Sequence, residues 1–376
     1  MTLDELRAGI NRLDTTIQDA FSERMELCKE VARHKQANGM QIFQNDREQE
    51  IIARIKAGAP EGLKSPSAVL FQTIMDISKY LQYRELHKET QRYDFRPLGI
   101  SADSTVACQG TAGANAETAA KQIFGADCKP EFLPTFADVF DAVQSGKVQY
   151  GIIPVQNSTA GSVVQAYDLM GEYNFYICRT TVVEITNCLA VRPGTRFEDV
   201  RDVYSHPQAL SQCSHFIGRN GLNAHEYSNT ATAARMVADS VEPLGAICSE
   251  SCAEMMGLEI LRTQISDYVP NYTRFFCISK DLEVSEDADR ISVMLQLPHE
   301  EGSLYRLLSK FVIAERNLLK LESRPIRNGS FEVLFYLDFS GNIHEPAVSA
   351  LLSDLSEHLE YFKFLGNYGE IAAANA

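Results

Sequence analysis

The 376-residue sequence predicts a multidomain chain built from three fold classes. An all-α segment of three helices spans residues 1–92, a two-lobed α/β segment spans 98–280, and an α+β segment of order βαββαβ spans 290–370. Three observations carry this division. Apolar residues in the first segment recur at the three- and four-residue spacing of a helix with one buried seam. In the second, short apolar runs alternate with helical stretches, the pattern of βα units in a mostly parallel sheet. Ahead of the third, Asp281–Asp289 is dense in carboxylates and reads as a solvated linker.

Composition narrows the function classes. Apolar content of 45% and charged content of 23% belong to an ordinary globular protein. No apolar run approaches the roughly 18–20 residues that span a membrane, and the N-terminus shows no export signal. Nine cysteines without a CxxC pair or clustered histidines predict reduced thiols in the cytoplasm, with no metal and no cofactor. Residues 1–92 are charge-balanced, so the whole net charge of −15 falls in the remainder. An acidic body argues against nucleic acid as a partner. Any anionic small molecule must be met by locally focused Arg and Lys.

Leu3, Leu6, Ile10, Leu13, Ile17, Ala20, Leu27 and Val31 trace the seam of the first helix. Arg24 stands where the next apolar residue is due, and a lone guanidinium there is costly unless an anion meets it. Lys35 follows about three turns later and shares that face. Either an internal salt bridge or a buried site for a carboxylated ligand accounts for the two cations. Gly39 ends this helix, and Asn45 or Asp46 caps a second that contains Arg47 and Glu48. After Gly58-Ala59-Pro60, Ser65-Pro66 opens a third helix to about residue 90, where Ser78 and Gln82 share a face. Arg24, Lys35, Arg47, Glu48, Ser78 and Gln82 are thereby expected to line one pocket.

With Leu6-Arg7, Glu23-Arg24 and Asp46-Arg47-Glu48, these residues resemble the all-helical chorismate mutases over nearly all of residues 1–90. The resemblance implies that Arg7, Arg24, Lys35 and Arg47 hold the two carboxylates of chorismate and that Glu48 binds its hydroxyl. Lys35 and Gln82 would hydrogen-bond the ether oxygen of the breaking bond, as the catalytic pair. Ser78 and Gln44 complete the implied contacts, Gln44 standing where the family often has Asp. Such a rearrangement needs no acid, base or nucleophile, only a held near-attack conformer and stabilised charge on the ether oxygen. Arg7 precedes Arg24 by about 26 Å of continuous helix, too far for one small ligand to touch both. An intertwined homodimer follows as the expectation, with Arg7 reaching the site of a second copy.

In the α/β segment, the first set of expected elements is Ser104–Cys108, Ala116–Phe124, Phe136–Ser145, Tyr150–Pro154 and Val163–Met170. The second set is Val182–Val191, Val203–Tyr204, Gln208–Ile217, Thr230–Ser240, Ala246–Cys248 and Ser251–Met256. Two such sets with facing loops enclose a ligand cleft. Gly110-Thr111-Ala112-Gly113 can present backbone N–H groups to an anion. Pro154–Ser158 with Gly161-Ser162 places amides and hydroxyls at a strand end, where open α/β sheets bind ligands. Ser205-His206-Pro207-Gln208 with Gln212-Cys213 does the same in the second lobe. His206 and the Asn229-Thr230-Ala231-Thr232 stretch also have bland explanations, as a satisfied loop residue and a helix cap.

Together with Asn271-Tyr272-Thr273-Arg274-Phe275, these loops resemble the prephenate dehydratases over the whole segment. The resemblance implies a fold like that of periplasmic binding proteins and loss of water and carbon dioxide from prephenate. It ties Thr273 to catalysis, with Asn157, Ser205, Gln212 and Arg274 as substrate contacts. A threonine hydroxyl is too weak an acid to protonate outright, so Thr273 is expected to hydrogen-bond the departing hydroxide or relay a proton. Arg274 either holds a carboxylate or braces the cleft. Gln156 stands where the family usually has Glu, and Asn115 and Ala116 replace an aromatic followed by Ser or Thr. Without that carboxyl, more of the proton burden is expected on Thr273. An active dehydratase is the expectation. The alternatives are a degenerate lobe that binds and turns over poorly, and a dehydratase preferring arogenate.

The last segment alternates as strand (Arg290–Leu297), helix (Gly302–Ala314), strands (Leu318–Arg324 and Phe331–Phe339), helix (Pro346–Leu359) and strand (Tyr361–Tyr368). Pro298–Leu304, Asn317-Leu318 and Glu322-Ser323-Arg324-Pro325 resemble an ACT domain of the phenylalanine-sensing type. The resemblance implies phenylalanine at a dimer interface, met by Gly302, Ser303, Leu304, Asn317, Leu318, Glu322 and Ser323. The chain so read is a feedback-inhibited enzyme of phenylalanine biosynthesis and a homo-oligomer, dimer or tetramer.

Overall fold

The computed structural model describes the chain except residues 41, 43–44, 87–92, 327–332 and 372–376. Two compact units divide it: one holds 1–94 with 289–367, the other 95–288 with 368–376.

The first unit opens with helix α1 (Leu3–Ala37), started by a capping box in which Thr2 and Glu5 satisfy each other's backbone N–H groups. Gly39, at φ +63, closes it. Helices α2 (Asn45–Gly58) and α3 (Lys64–Leu86) follow, α3 packing against both others. The expected seam of α1 is not buried within the chain. Leu3, Leu6, Ile10, Leu13, Ile17, Leu27 and Val31 are all 45–64% exposed, and Met25 and Ala32 are the buried residues of this helix. The period is helical, but none of the described residues covers the stripe.

The second unit supplies two sheets. Its elements in order are β1 (Arg96–Pro97), β2 (Val106–Gln109), α4 (Asn115–Phe124), β3 (Glu131–Leu133), α5 (Phe136–Gln144), β4 (Tyr150–Asn157), β5 (Gly161–Ser162), α6 (Val164–Glu172) and β6 (Tyr176–Glu184). The chain continues through β7 (Cys188–Val191), β8 (Asp202–Ser205), α7 (Pro207–Gln212), α8 (Ser214–Arg219), β9 (Asn223–Glu226), α9 (Thr230–Asp239), β10 (Gly245–Cys248), α10 (Glu250–Met255), β11 (Glu259–Arg262), β12 (Tyr272–Ser279) and β13 (Glu283–Val284). The first lobe has strand order β6-β12-β4-β2-β3, the second β11-β7-β10-β8-β9. Both sheets are mixed: β2, β3 and β4 run parallel, whereas β12 is antiparallel to β4 and to β6. Gly151 lets α5 close on β4, since a Cβ there would lie 2.8 Å from Val139.

Three sequence expectations change here. The run Val182–Val191 is two strands in different sheets, split at Ile185–Asn187, where the chain crosses between lobes. The stretch Gln208–Ile217 is two short helices interrupted at Cys213. The acidic stretch is not a solvated linker. β13 pairs with β1, and buried Glu283 accepts hydrogen bonds from the Tyr150 hydroxyl (2.7 Å) and the Gly99 N–H (3.0 Å). Burial and the Glu283 carboxylate together push the Tyr150 hydroxyl upward in pKa. Alternating Leu282 and Val284 are buried apolar anchors, which acidic composition alone conceals.

The rest of the first unit is β14 (Arg290–Gln296), α11 (Ser303–Ile313), β15 (Leu318–Pro325), β16 (Val333–Ser340), α12 (Pro346–His358) and most of β17 (Phe362–Ile371). Its strand order is β15-β16-β14-β17, with β16 antiparallel to both neighbours. The βαββαβ order matches the sequence expectation within one or two residues at most ends.

Candidate functional site

Two sites emerge, one in each unit. On α1, Arg24, Cys28 and Lys35 share a face. The Arg24 guanidinium donates to Ser78 Oγ at 2.7 Å and lies 3.8 Å from Cys28 Sγ. Ser78 Oγ donates in turn to Cys28 at 2.9 Å. Lys35 donates to the Ile42 carbonyl at 2.6 Å. Neither cation has a carboxylate ion-pair partner among the described residues. Among the described residues, then, no internal salt bridge meets either half-buried cation, the circumstance in which an anionic ligand would relieve their burial. Burial lowers the Lys35 pKa, with the nearby Glu48 carboxylate and Cys28 working against it.

Gln82 and Ser78 are buried on α3, and Gln82 Nε2 donates to the Ser78 carbonyl at 3.2 Å. Gln82 Oε1 is buried without a partner, an orphan acceptor of the kind a ligand relieves. Glu48 Oε1 pairs with Lys79 at 3.1 Å. The structure thus gathers Arg24, Lys35, Glu48, Ser78 and Gln82. It does not bring in Arg7, which is 67% exposed beside Asp4, or Arg47, which pairs with Glu50 at 2.6 Å. Gln44 lies outside the described residues. Sequence reasoning missed Cys28, four residues after Arg24 and so on its face, and missed Lys79.

The second site is a cleft of about 270 Å³ between the two lobes of the α/β unit. Thr273, Asn157, Gln212, Asn115 and Ala116 line it, as do His206, Asn187 and Asn229. Register explains the central pair. β12 and β4 are antiparallel with Thr273 opposite Asn157 and Arg274 opposite Gln156. Paired residues point to one side of a sheet and successive residues to opposite sides. Thr273 and Asn157 therefore face the cleft, while Arg274 and Gln156 face away from it.

The Asn157 amide is oriented by its surroundings. Its Oδ1 accepts from Thr159 N–H (3.0 Å), Ala160 N–H (2.9 Å) and the Thr159 hydroxyl (2.7 Å). Nδ2, a donor only, then points to Thr273 Oγ1 at 2.9 Å and to Asn271 Oδ1 at 2.8 Å. Thr273 Oγ1 is an acceptor in that bond, so its own hydrogen is free to be donated into the cleft. Gln212 Nε2 donates to Thr159 Oγ1 at 3.1 Å and joins the second lobe to the network. Helices α4 and α9 begin at the cleft, and α4 has no side-chain cap. Their N-termini carry positive partial charge, although at α4 the Glu117 carboxylate already accepts from the Gly113 N–H at 2.7 Å and at α9 Asn229 caps the Thr232 N–H at 2.8 Å. The described lining residues include no Asp, Glu, Lys or Arg.

Two predicted contacts are placed differently. Ser205 is fully buried, its hydroxyl committed to the Ile247 carbonyl at 2.6 Å. Arg274 pairs with Glu370 at 2.7 Å and meets Gln156 Oε1 at 3.4 Å, contacts of the bracing kind. The amide at Gln156 thus removes no carboxyl from Thr273's side of the sheet, and its substitution adds no proton burden there. Among the predicted effector contacts, Ser303 and Leu304 line a cavity of about 590 Å³ beside Pro298 and Phe335, with Gly302 at φ +80 starting α11. Asn317, Leu318, Glu322 and Ser323 lie on or beside β15 and do not line it.

Comparison with known proteins assigns the two segments that carry these sites to known families. Residues 6–83 match the family model of chorismate mutase type II, and 106–283 that of prephenate dehydratase. The chain is 30% identical over 370 residues to the bifunctional chorismate mutase/prephenate dehydratase of Aquifex aeolicus, covering 97% of each. It is 31% identical over 275 residues to arogenate dehydratase/prephenate dehydratase 2, chloroplastic, of Arabidopsis thaliana, covering 70% of this chain and 72% of that one. A solved prephenate dehydratase from Arthrobacter aurescens, in complex with L-Phe, superposes with TM-score 0.65 at 27% identity, over 70% of this chain and 90% of that one. Full-length similarity, together with a charge-lined helical site and an amide-lined cleft, makes this chain a member of the bifunctional chorismate mutase/prephenate dehydratase family.

Proposed function

We propose that this chain rearranges chorismate to prephenate at the helical site and converts prephenate to phenylpyruvate in the cleft, as a phenylalanine-sensitive step of phenylalanine biosynthesis. The observation that carries the second activity is the Asn157–Thr273 bond, in which the threonine oxygen accepts and its hydrogen is left free for an acceptor in the cleft. As the ring carboxylate leaves as carbon dioxide, its bonding electrons aromatise the ring and expel hydroxide. Thr273 donates a hydrogen bond to the departing oxygen, which becomes water on gaining a proton. Asn157 and Gln212, through Thr159, hold that donor in place. The remaining carboxylate is met by the starts of α4 and α9. The described residues lining the cleft offer no Asp or Glu to the ammonium of arogenate, which favours prephenate.

At the helical site Arg24 and Lys35 take the carboxylates and the ether oxygen, with Gln82 and Ser78 beside them and Glu48 at the hydroxyl. The exposed apolar stripe of α1 is what a second copy covers, and Arg7 then completes that copy's site. The C-terminal module is read as an ACT domain. Its predicted effector residues are divided between a cavity and a strand, which an interface between two copies would bring together around phenylalanine. Nine free thiols are in keeping with a reducing cytoplasm, and no described helix is long and apolar enough to cross a membrane. Product analysis from chorismate and from prephenate, with and without phenylalanine, tests the reading. Absence of phenylpyruvate would leave the degenerate-lobe alternative. A calorimetric titration without heat of phenylalanine binding would remove the effector.

A further inference from the structure

Lys79 is a buried cation on α3, 8% exposed at its side chain, and no step above uses it. Its ammonium lies 3.1 Å and 3.2 Å from the two oxygens of Glu48 and 3.0 Å from Asp76. Gln72 donates to both carboxylates, at 3.5 Å and 3.2 Å. These groups open on a cavity of about 360 Å³ whose other wall is the C-terminal module, including Ser303, Arg306 and Lys310. Lys310 pairs with Asp354 on α12. Burial works against the charge on Lys79, yet Asp76, Glu48 and Asp354 outweigh it and leave the pKa above the ordinary 10.5. The Tyr83 hydroxyl of α3 donates to Glu357 of α12 at 2.6 Å.

We propose that Lys79 is a positioning residue of the mutase site, orienting Glu48 toward the substrate hydroxyl, and that α11 and α12 act on that orientation through Lys310 and Asp354. This rests on the reading of Glu48 as a chorismate contact. A glutamate side chain has three rotatable bonds, and one ammonium bridging both oxygens removes most of that freedom. Without the ammonium, Glu48 and Asp76 become two poorly solvated carboxylates facing each other, and one must turn away or take a proton. The regulatory module would then be joined to the mutase chemistry by charge as well as by packing.

Steady-state mutase kinetics on full-length Lys79→Met, Lys79→Arg, Glu48→Gln, the Lys79→Met/Glu48→Gln double variant and Asp354→Asn test this, with dehydratase turnover measured alongside. Lys79→Met is expected to lower mutase kcat/KM about 10- to 100-fold, with dehydratase turnover unchanged and part of the loss restored in Lys79→Arg. If Lys79 acts through Glu48, the double variant is no worse than Glu48→Gln. Asp354→Asn should cost the mutase about 2- to 5-fold by the same logic at one step removed. A Lys79→Met enzyme within twofold of wild type, or one losing both activities in parallel, overturns the proposal while the mutase reading stands. Strict additivity in the double variant does the same. An unimpaired Glu48→Gln enzyme would overturn the reading of Glu48 and the proposal with it.

Discussion

The two sites solve the binding of an anion in opposite ways. The helical site gathers formal charge: Arg24 and Lys35, without carboxylate partners among the described residues, and Glu48 held by Lys79. The cleft gathers none among its described lining residues, and relies on amides, hydroxyls and two helix N-termini. The difference follows the chemistry each is read to perform. An intramolecular rearrangement gains from fixed charges that hold a dianion in one conformer and stabilise its ether oxygen. In an elimination that releases carbon dioxide, a strong cation at the departing carboxylate would stabilise the ground state it has to leave. Neutral donors avoid that penalty.

The largest expected effect tests the neutral site. Thr273→Ala should lower dehydratase turnover about 10²- to 10⁴-fold, read as phenylpyruvate formed from prephenate, and leave the mutase unchanged. Thr273→Ser should keep most of the activity, because the donor remains. Equal losses in the two variants would mean that packing of the methyl, not the hydroxyl, is what matters.

The charged site should answer to pH where the cleft does not. Lys35→Ala is expected to cost the mutase about 10²- to 10³-fold, the scale of one lost charge-stabilising donor. Burial lowers the Lys35 pKa, so the ammonium is lost as pH rises through a value below 10.5, and mutase activity falls there. Lys35→Arg should move that alkaline limb upward and leave the dehydratase profile where it was. A limb that stays in place assigns the titration to another group.

Dependence on a second copy should separate the sites again. Ile17→Glu puts a carboxylate in the middle of the exposed stripe of α1, where association would have to desolvate it. Sedimentation should show a smaller assembly. The mutase should lose about tenfold or more, since Arg7 would no longer reach the site, while the dehydratase is spared. An enforced monomer with full mutase activity would break this part of the comparison.

The loops around the cleft were legible because strand ends carry the binding groups in such sheets, and their amide-rich motifs stand out against apolar strands. Parity was the missing information. Thr273 and Arg274 are neighbours in sequence, and only the register of β12 against β4 shows that they serve opposite faces. Ser205 reads as a polar loop residue until its hydroxyl is seen to satisfy Ile247 inside the sheet. In the helical segment, spacing located Arg24, Ser78 and Gln82. It misjudged the α1 seam, because helical period reveals a stripe and not which chain buries it. Lys79 escaped notice because its near partner, Asp76 at three residues' spacing, reads as an ordinary helix-surface pair, while Glu48 is distant in sequence.

The smallest expected effect follows from that parity. If Gln156 belonged to the cleft, Gln156→Glu would restore a carboxyl beside Thr273 and change dehydratase turnover and its pH profile. The structure instead places residue 156 against Arg274, which already has Glu370 at 2.7 Å. A second carboxylate there would share one guanidinium, in a region about a quarter exposed at both existing partners. A pair of that kind changes stability by about 1 kcal/mol or less once solvent screening is counted. Gln156→Glu should therefore leave kcat for prephenate within about threefold of wild type and shift the melting temperature by no more than a few degrees. Glu370→Gln, which leaves Arg274 with only amide partners, should lower the melting temperature more than it lowers turnover. A tenfold gain in turnover from Gln156→Glu would show that the side chain reaches the cleft, and that the charge-free character of this site is a feature of residue 156 alone.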